Sequence, residues 1–294
     1  MPNYFDDISI DINEIHRKVN QEIPKHSFNQ FSLTKKILHK FLYSIKLYSK
    51  LIESGFIRRW FSEFNFYWQK ELKGRPLKFY DFFYLYSNYR VKFQNIELEE
   101  ENNPNKFLQD WQKPANIYQI FSCTYQYSTN PFSYLPFKKY LKKNDNILEY
   151  GCGIAPITTS LVHYCPKKYN LTIADIPQYN YHYAKWKLKK FKVKTIDIDP
   201  SKLPILEKYN VVFIITVLEH LTNPLEVIKN ITNHIKPGGF LIFDYIMTEG
   251  KGLDTKNSLD QKKQVINYIK ENYKIIKGNL DPNQSIKVTI SYKK

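Results

Sequence analysis

Residues 146–156 read Asn146-Ile147-Leu148-Glu149-Tyr150-Gly151-Cys152-Gly153-Ile154-Ala155-Pro156, and this stretch decides the fold. A short apolar run ends at a carboxylate, a Gly-x-Gly turn follows, and a helix is predicted over Ile157–His163. Gly151 and Gly153 lack a Cβ, so the backbone of a strand-to-helix turn can approach a ligand closely there. Gly-x-Gly after a strand also fits a dinucleotide site. Glu149 separates the two readings. A carboxylate at the strand end repels pyrophosphate but suits a ligand with a cationic amine and a sulfonium.

Outward from this turn, short β-branched runs alternate with helical stretches, the signature of βαβ units in a parallel sheet. A second strand, Asn170–Ala174, ends at Asp175, 24 residues past Gly151. A carboxylate there accepts hydrogen bonds from both ribose hydroxyls of a nucleoside. A third strand, Phe191–Ile196, leads into Asp197-Ile198-Asp199-Pro200. The fourth, Asn210–Thr216, runs into Val217-Leu218-Glu219-His220-Leu221 and then Thr222-Asn223-Pro224. A helix to Ile235 precedes Lys236-Pro237-Gly238-Gly239 and a fifth strand, Phe240–Ile246. The tail predicts a helix (Ser258–Asn272) and two strands (Tyr273–Lys277, Ser285–Tyr292) that suit a hairpin at one sheet edge.

This ordered set resembles the class I S-adenosylmethionine-dependent methyltransferases, in particular the group with Leu-Glu-His-Leu and Asn-Pro after strand four and Lys-Pro-Gly-Gly before strand five. The resemblance covers roughly residues 115–294. It implies an α/β, doubly wound, mostly parallel seven-stranded sheet of the Rossmann-like methyltransferase type. It also implies S-adenosylmethionine as cofactor, with Glu149, Gly151, Cys152 and Gly153 at its methionine end. Asp175, with Ile176 beside it, would hold the ribose, and Thr216 would lie beside the sulfonium. Asp197 and Asp199 compete for the adenine amine; Asp199 is preferred because Asp-Pro-Ser-Lys-Leu-Pro falls where the family's loop carries its Asp. One departure is plain: the family's third glycine is Ala155, followed by Pro156.

Methyl transfer from a sulfonium needs alignment and exclusion of water more than it needs covalent help. A hydroxyl nucleophile still gains from a base. His220 is the histidine that the motif places at the carboxyl edge of the sheet, either as that base or as a structural residue satisfied by local backbone. No metal is expected. Metal-assisted relatives carry Glu-x-x-Glu-His, whose first position here is Thr216, and His234 falls at the far end of the next helix. Cys152 reads as a small filler, since nothing activates its thiol. The Asn/Asp-Pro-Pro-Tyr/Phe signature of methylation at amino groups of bases or glutamine is missing after strand four.

Residues 1–112 have another texture, aromatic and basic, and predict an α-helical cap ahead of a catalytic domain over 113–294. Helices are expected over 31–54, 57–72 and 79–90, and the polar Glu97–Asn105 stretch marks the boundary. Residues 31–90 carry 12 basic and four acidic side chains. These face solvent, an anionic substrate or a peripheral membrane surface. Trp111, Tyr118, Phe121, Tyr125 and Tyr127 lie where a lid would close over the cofactor, or else belong to the core.

The net charge of +16 invites a nucleic-acid partner, yet only five of 44 basic residues are Arg, the side chain that bidentate phosphate and guanine contacts favour. The longest apolar run, Val211–Leu218, is far shorter than the about 20 residues that span a bilayer. Three cysteines without ligand spacing and no visible signal peptide predict a cytoplasmic protein. The expected activity is methylation of a small or carbohydrate-like metabolite at oxygen. RNA methylation through the basic cap and a non-catalytic interaction module are the rivals.

Overall fold

The computed structural model describes residues 58–71, 76–77, 93–113, 116–129, 132–165, 167–204, 206–246 and 252–294. The helices expected over 31–54 and 79–90 lie outside the described residues. The chain divides into two compact units, residues 1–94 with 114–131, and residues 95–113 with 132–294. This division crosses the chain three times, where the sequence suggested one boundary at 112/113.

In the first unit, α1 (Arg58–Lys70) and α3 (Ile117–Thr129) carry buried aromatic side chains. Phe64 and Phe121 meet edge to face at 5.1 Å, with Trp68 beside them. Phe121 is thus core here, while the side chains of Tyr118, Tyr125 and Tyr127 lie outside the description. Asn65 closes the unit locally, accepting from Leu77 N–H at 2.8 Å and donating to Leu77 O at 3.0 Å.

The second unit holds one seven-stranded sheet. Its strands are β1 (Asn146–Tyr150), β2 (Asn170–Asp175), β3 (Val193–Asp197), β4 (Tyr209–Ile214), β5 (Ile235–Tyr245), β6 (Tyr273–Lys277) and β7 (Ile286–Lys293). The spatial order is β3-β2-β1-β4-β5-β7-β6, parallel except for β7. The tail does form a hairpin, and β7 is the member that inserts beside β5. Helices cover both faces, which is why the central strands read as continuous apolar runs. Leu148, Val212 and Ile214 face α6 (Pro224–His234) and α7 (Lys256–Asn272). Their neighbours Ile147, Val211 and Phe213 pack with Ile157 and Leu161 of α4 (Pro156–Tyr164). Between β2 and β3 runs α5 (Tyr179–Leu188), and α2 (Pro104–Trp111) precedes the sheet. No described helix is long and apolar enough to cross a membrane.

Two strands differ from the sequence reading. β3 starts at Val193 and is largely exposed, as a short charged edge strand can be without inviting further pairing. Lys-Pro-Gly-Gly lies within β5 as a bulge: Tyr209 pairs with Ile235, and the next pairing is Val211 with Phe240. A Cβ on Gly239 would stand 2.7 Å from the Asn210 carbonyl oxygen, so only glycine permits this return to the ladder. The order reverses between β1 and β4, the switch point at whose carboxyl edge such sheets bind ligands.

Candidate active site at the carboxyl edge of the sheet

The turn after β1 is held from three sides. Glu149 accepts the first N–H groups of α4, from Ile157 at 3.1 Å and Thr158 at 2.8 Å, and so caps the helix while the turn reverses. Burial pushes its carboxyl up, and these bonds oppose the shift. Both its oxygens are engaged, which makes Glu149 a positioning residue of the turn. Lys187 reaches over from α5 to the Ile154 carbonyl at 3.0 Å. Cys152 donates its N–H to Ala174 O, and its thiol packs with Ala155, Ile173 and Tyr181. Burial drives that thiol well above its ordinary pKa, so it serves as filler.

Ala155 keeps the left-handed conformation of the glycine it replaces, at φ 52° and ψ 60°. Left-handed backbone costs a non-glycine residue about 1 kcal/mol, and its wholly buried methyl offsets about 0.8 kcal/mol. Ala155→Gly is therefore expected to change stability by less than about 1 kcal/mol in a denaturant titration, because the two terms nearly cancel. A larger shift would show that the alanine reshapes the turn.

Asp175 ends β2 and locks the same turn to it. It accepts from Gly153 N–H at 2.7 Å, Ile176 N–H at 2.8 Å and Gln178 Nε2 at 3.1 Å. Burial raises its carboxyl to about 6, against the pull of those bonds. Two features beside it suit a nucleoside: the Cα of Gly153 faces open space, and the buried Gln178 Oε1 has no hydrogen-bond partner among the described residues. Asp197 and Asp199 are both exposed. Asp197 pairs with Lys185 at 2.9 Å, while Ser201 and Lys202 hold the Asp199 carboxyl well below the usual range.

After β4 the chain turns sharply at Thr216. Thr216 is left-handed at φ 56°, a conformation that a β-branched side chain resists, and its N–H donates to Asp244 Oδ1 at 2.6 Å. Asp244, at the end of β5, is buried and raised to about 6. His220 follows in a 3-10 turn, half-buried, with Nδ1 3.1 Å from Leu253 O and 3.2 Å from Asp254 Oδ1. Trp111 of α2 meets its ring edge to face at 5.1 Å. Asp244, Asp254 and Glu219 were not singled out from sequence, though Glu219 sits inside the motif; Asp244 and Asp254 lie 24 and 34 residues beyond His220, and Trp111, read as lid or core, lies 109 residues before it.

Glu219 is 1% exposed, and burial raises its carboxyl to about 7. Its unfolded value is about 4.3, so the ionised form is disfavoured in the folded state. The stability it supplies is fully present below the unfolded value and is lost as pH rises through about 7, on the order of 3 kcal/mol. Glu219→Gln is expected to remove that slope between about pH 5 and about pH 8, read by denaturation at each pH. An unchanged slope would mean that Glu219 does not titrate in this window.

Five acids thus lie at or just beyond the carboxyl ends of the strands, Glu149, Asp175, Asp197, Glu219 and Asp244, and all but Asp197 are buried. Exposed lysines stand at the opposite edge (Lys142, Lys143, Lys168, Lys192, Lys208), while Lys185, Lys187 and Lys202 are each bonded at the carboxyl edge. The open space at Gly153, the Asp175 carboxylate and the unsatisfied Gln178 amide oxygen fit a nucleoside. Such a site suits S-adenosylmethionine, the cofactor of the class I methyltransferases that the sequence resembles.

Residues 125–276, more than half of the chain, match the family described as "Methyltransferase domain", and the chain belongs to that family. It is similar to a ubiquinone biosynthesis O-methyltransferase of Rickettsia canadensis, 28% identical over 52% of this chain and 64% of the relative. A tRNA U34 carboxymethyltransferase of Campylobacter curvus is 24% identical over 57% of this chain and 59% of that one. The chain thus spans less than two thirds of the length of either. Among solved structures, N-methyltransferase NodS from Bradyrhizobium japonicum WM9, in complex with S-adenosyl-L-homocysteine, is 15% identical. That likeness covers 71% of this chain and 98% of that one, with a TM-score of 0.42.

Proposed function

We propose that the chain methylates a hydroxyl of a small, uncharged acceptor such as a phenol or a carbohydrate-like metabolite. Gly151, Gly153, Asp175 and Gln178 would hold S-adenosylmethionine, with Asp199 at its adenine and Thr216 near its sulfur. Bound there, the cofactor supplies a methyl group on a positively charged sulfur. The acids of the carboxyl edge favour that charge and disfavour a phosphate-rich acceptor. His220 takes the hydroxyl proton as the oxygen is methylated and releases it to solvent afterwards. The observation that carries this reading is a histidine at the strand edge with its Nδ1 against a carbonyl and a buried carboxylate.

Similarity to O-methyltransferases of ubiquinone biosynthesis supports an oxygen acceptor. The tRNA-modifying relative and the +16 charge favour RNA as the second reading. Methyl-labelled S-adenosylmethionine distinguishes the two. The expected label appears in a small methyl ether and resists added ribonuclease, with turnover insensitive to salt. His220→Ala is expected to lower kcat by about 10²–10⁴ while S-adenosylhomocysteine still binds. Label in RNA, or binding that falls steeply with salt, would favour the second reading. Undiminished turnover in the variant would remove His220 from the mechanism.

A further inference from the structure

The turn that carries His220 is tied to the start of α7. Thr255 N–H donates to Glu219 O at 3.0 Å, Thr255 Oγ1 to Leu221 O at 2.6 Å, and Ser258 Oγ to Glu219 O at 2.7 Å. These bonds lie on both sides of His220 in the chain and fix its ring against residues 253 and 254. A carbonyl oxygen only accepts hydrogen bonds, so facing Leu253 O the neutral ring carries its proton on Nδ1. The lone pair is then on Nε2. The Asp254 carboxylate approaches the same Nδ1, and its side chain is wholly buried.

We propose that Leu253 and Asp254 are positioning residues for His220. The Leu253 carbonyl selects the tautomer that leaves Nε2 basic, and the Asp254 carboxylate stabilises the ring once Nε2 has taken a proton. This rests on the reading of His220 as the base. The proton moves from the acceptor hydroxyl to Nε2, and Nδ1 keeps its own.

A protonated His220 is within ion-pair distance of the buried Asp254 carboxylate, where withdrawal from water strengthens the attraction. Burial alone would push the His220 ring down. Asp254, Glu219 and the Leu253 carbonyl outweigh it and place the ring above its ordinary value. Asp175 of β2 and Asp244 of β5 also act on it, and α2 presents the uncharged Trp111. One group setting the tautomer and another the charge is a division that sequence spacing does not show.

Long-range proton–nitrogen NMR of the nitrogen-15-labelled full chain tests the proposal without an acceptor. The His220 signals are identified by their loss in His220→Gln. The expected wild-type spectrum shows the Nδ1–H tautomer in the neutral ring. Asp254→Asn is expected to keep that tautomer, lower the His220 midpoint by about one pH unit or more, and shift the acid limb of kcat equally. Affinity for S-adenosylhomocysteine should not change. An Nε2–H tautomer in the wild type overturns the proposal, and that measurement stands even if the variant fails to fold. An unchanged midpoint in the variant overturns it as well. Turnover that survives His220→Gln would overturn the reading of His220 as base, and the NMR result distinguishes that failure from an error in the geometry.

Discussion

Gly151→Ala is expected to destabilise the sheet-bearing unit by roughly 3 kcal/mol or more. Gly151 stands at φ +61°, and a Cβ there would lie 2.3 Å and 2.8 Å from the two γ-carbons of Val217. Left-handed strain accounts for about 1 kcal/mol of the loss, and forcing the turn away from β4's buried continuation for about 2 kcal/mol more. The two terms separate in a double-mutant cycle. In a Val217→Ala background the γ-carbons are gone and only the Cβ at 3.1 Å remains, so adding Gly151→Ala should cost about 1–2 kcal/mol. Denaturant midpoints of the four proteins give the coupling, and strict additivity would contradict the close approach.

Asp175→Ala is expected to weaken S-adenosylhomocysteine binding at least about 100-fold, a loss of about 2.7 kcal/mol or more. Asp175 ties Gly153, Ile176 and Gln178 to one another, so its removal releases the turn and the end of β2 together. The effect on folding should be smaller. Losing bonds to two backbone N–H groups costs about 1–3 kcal/mol each, but the substitution also removes a buried carboxylate whose pKa stands at about 6. A variant that unfolds near the wild-type midpoint yet fails to bind is the expected pair of results. Binding within threefold of wild type would show that Asp175 serves only the turn.

The sheet was legible because its signals are local. β1, β2, β4 and the β6/β7 hairpin are apolar or β-branched runs bounded by turn residues, and they formed within a residue or two of the positions read. Thr255, bonded to Ser258 N–H, extended the last helix back to Lys256, an N-cap that the periodicity did not weigh. Lys-Pro-Gly-Gly reads as lying before strand five because glycine and proline punctuate. Its place inside β5 depends on the fit of Gly239 against Asn210, which belongs to another strand.

The site was legible only where the motif is contiguous. Glu149, Gly151, Gly153 and Asp175 announced themselves by position, yet the bonds that Glu149 makes to α4 are visible only once the turn is folded. Thr216 gives no sign in sequence of being left-handed; the buried Asp244 behind its N–H holds it there. Asp254 carries no motif at all, and reaches His220 because α7 docks against the turn after β4. Long-range convergence of this kind has no periodicity to read. The basic, aromatic first hundred residues offered helical periodicity without partners, which is why their role was not legible.

Calorimetric titration of the full chain with S-adenosylhomocysteine tests the central claim most directly, since it needs no acceptor. The expected result is one site per chain with micromolar affinity, weakened at least about 100-fold in Asp175→Ala. Absence of binding by the wild-type chain at about millimolar ligand would contradict the assignment of the carboxyl edge as a cofactor site. A fold kept for interaction alone would then be the better account.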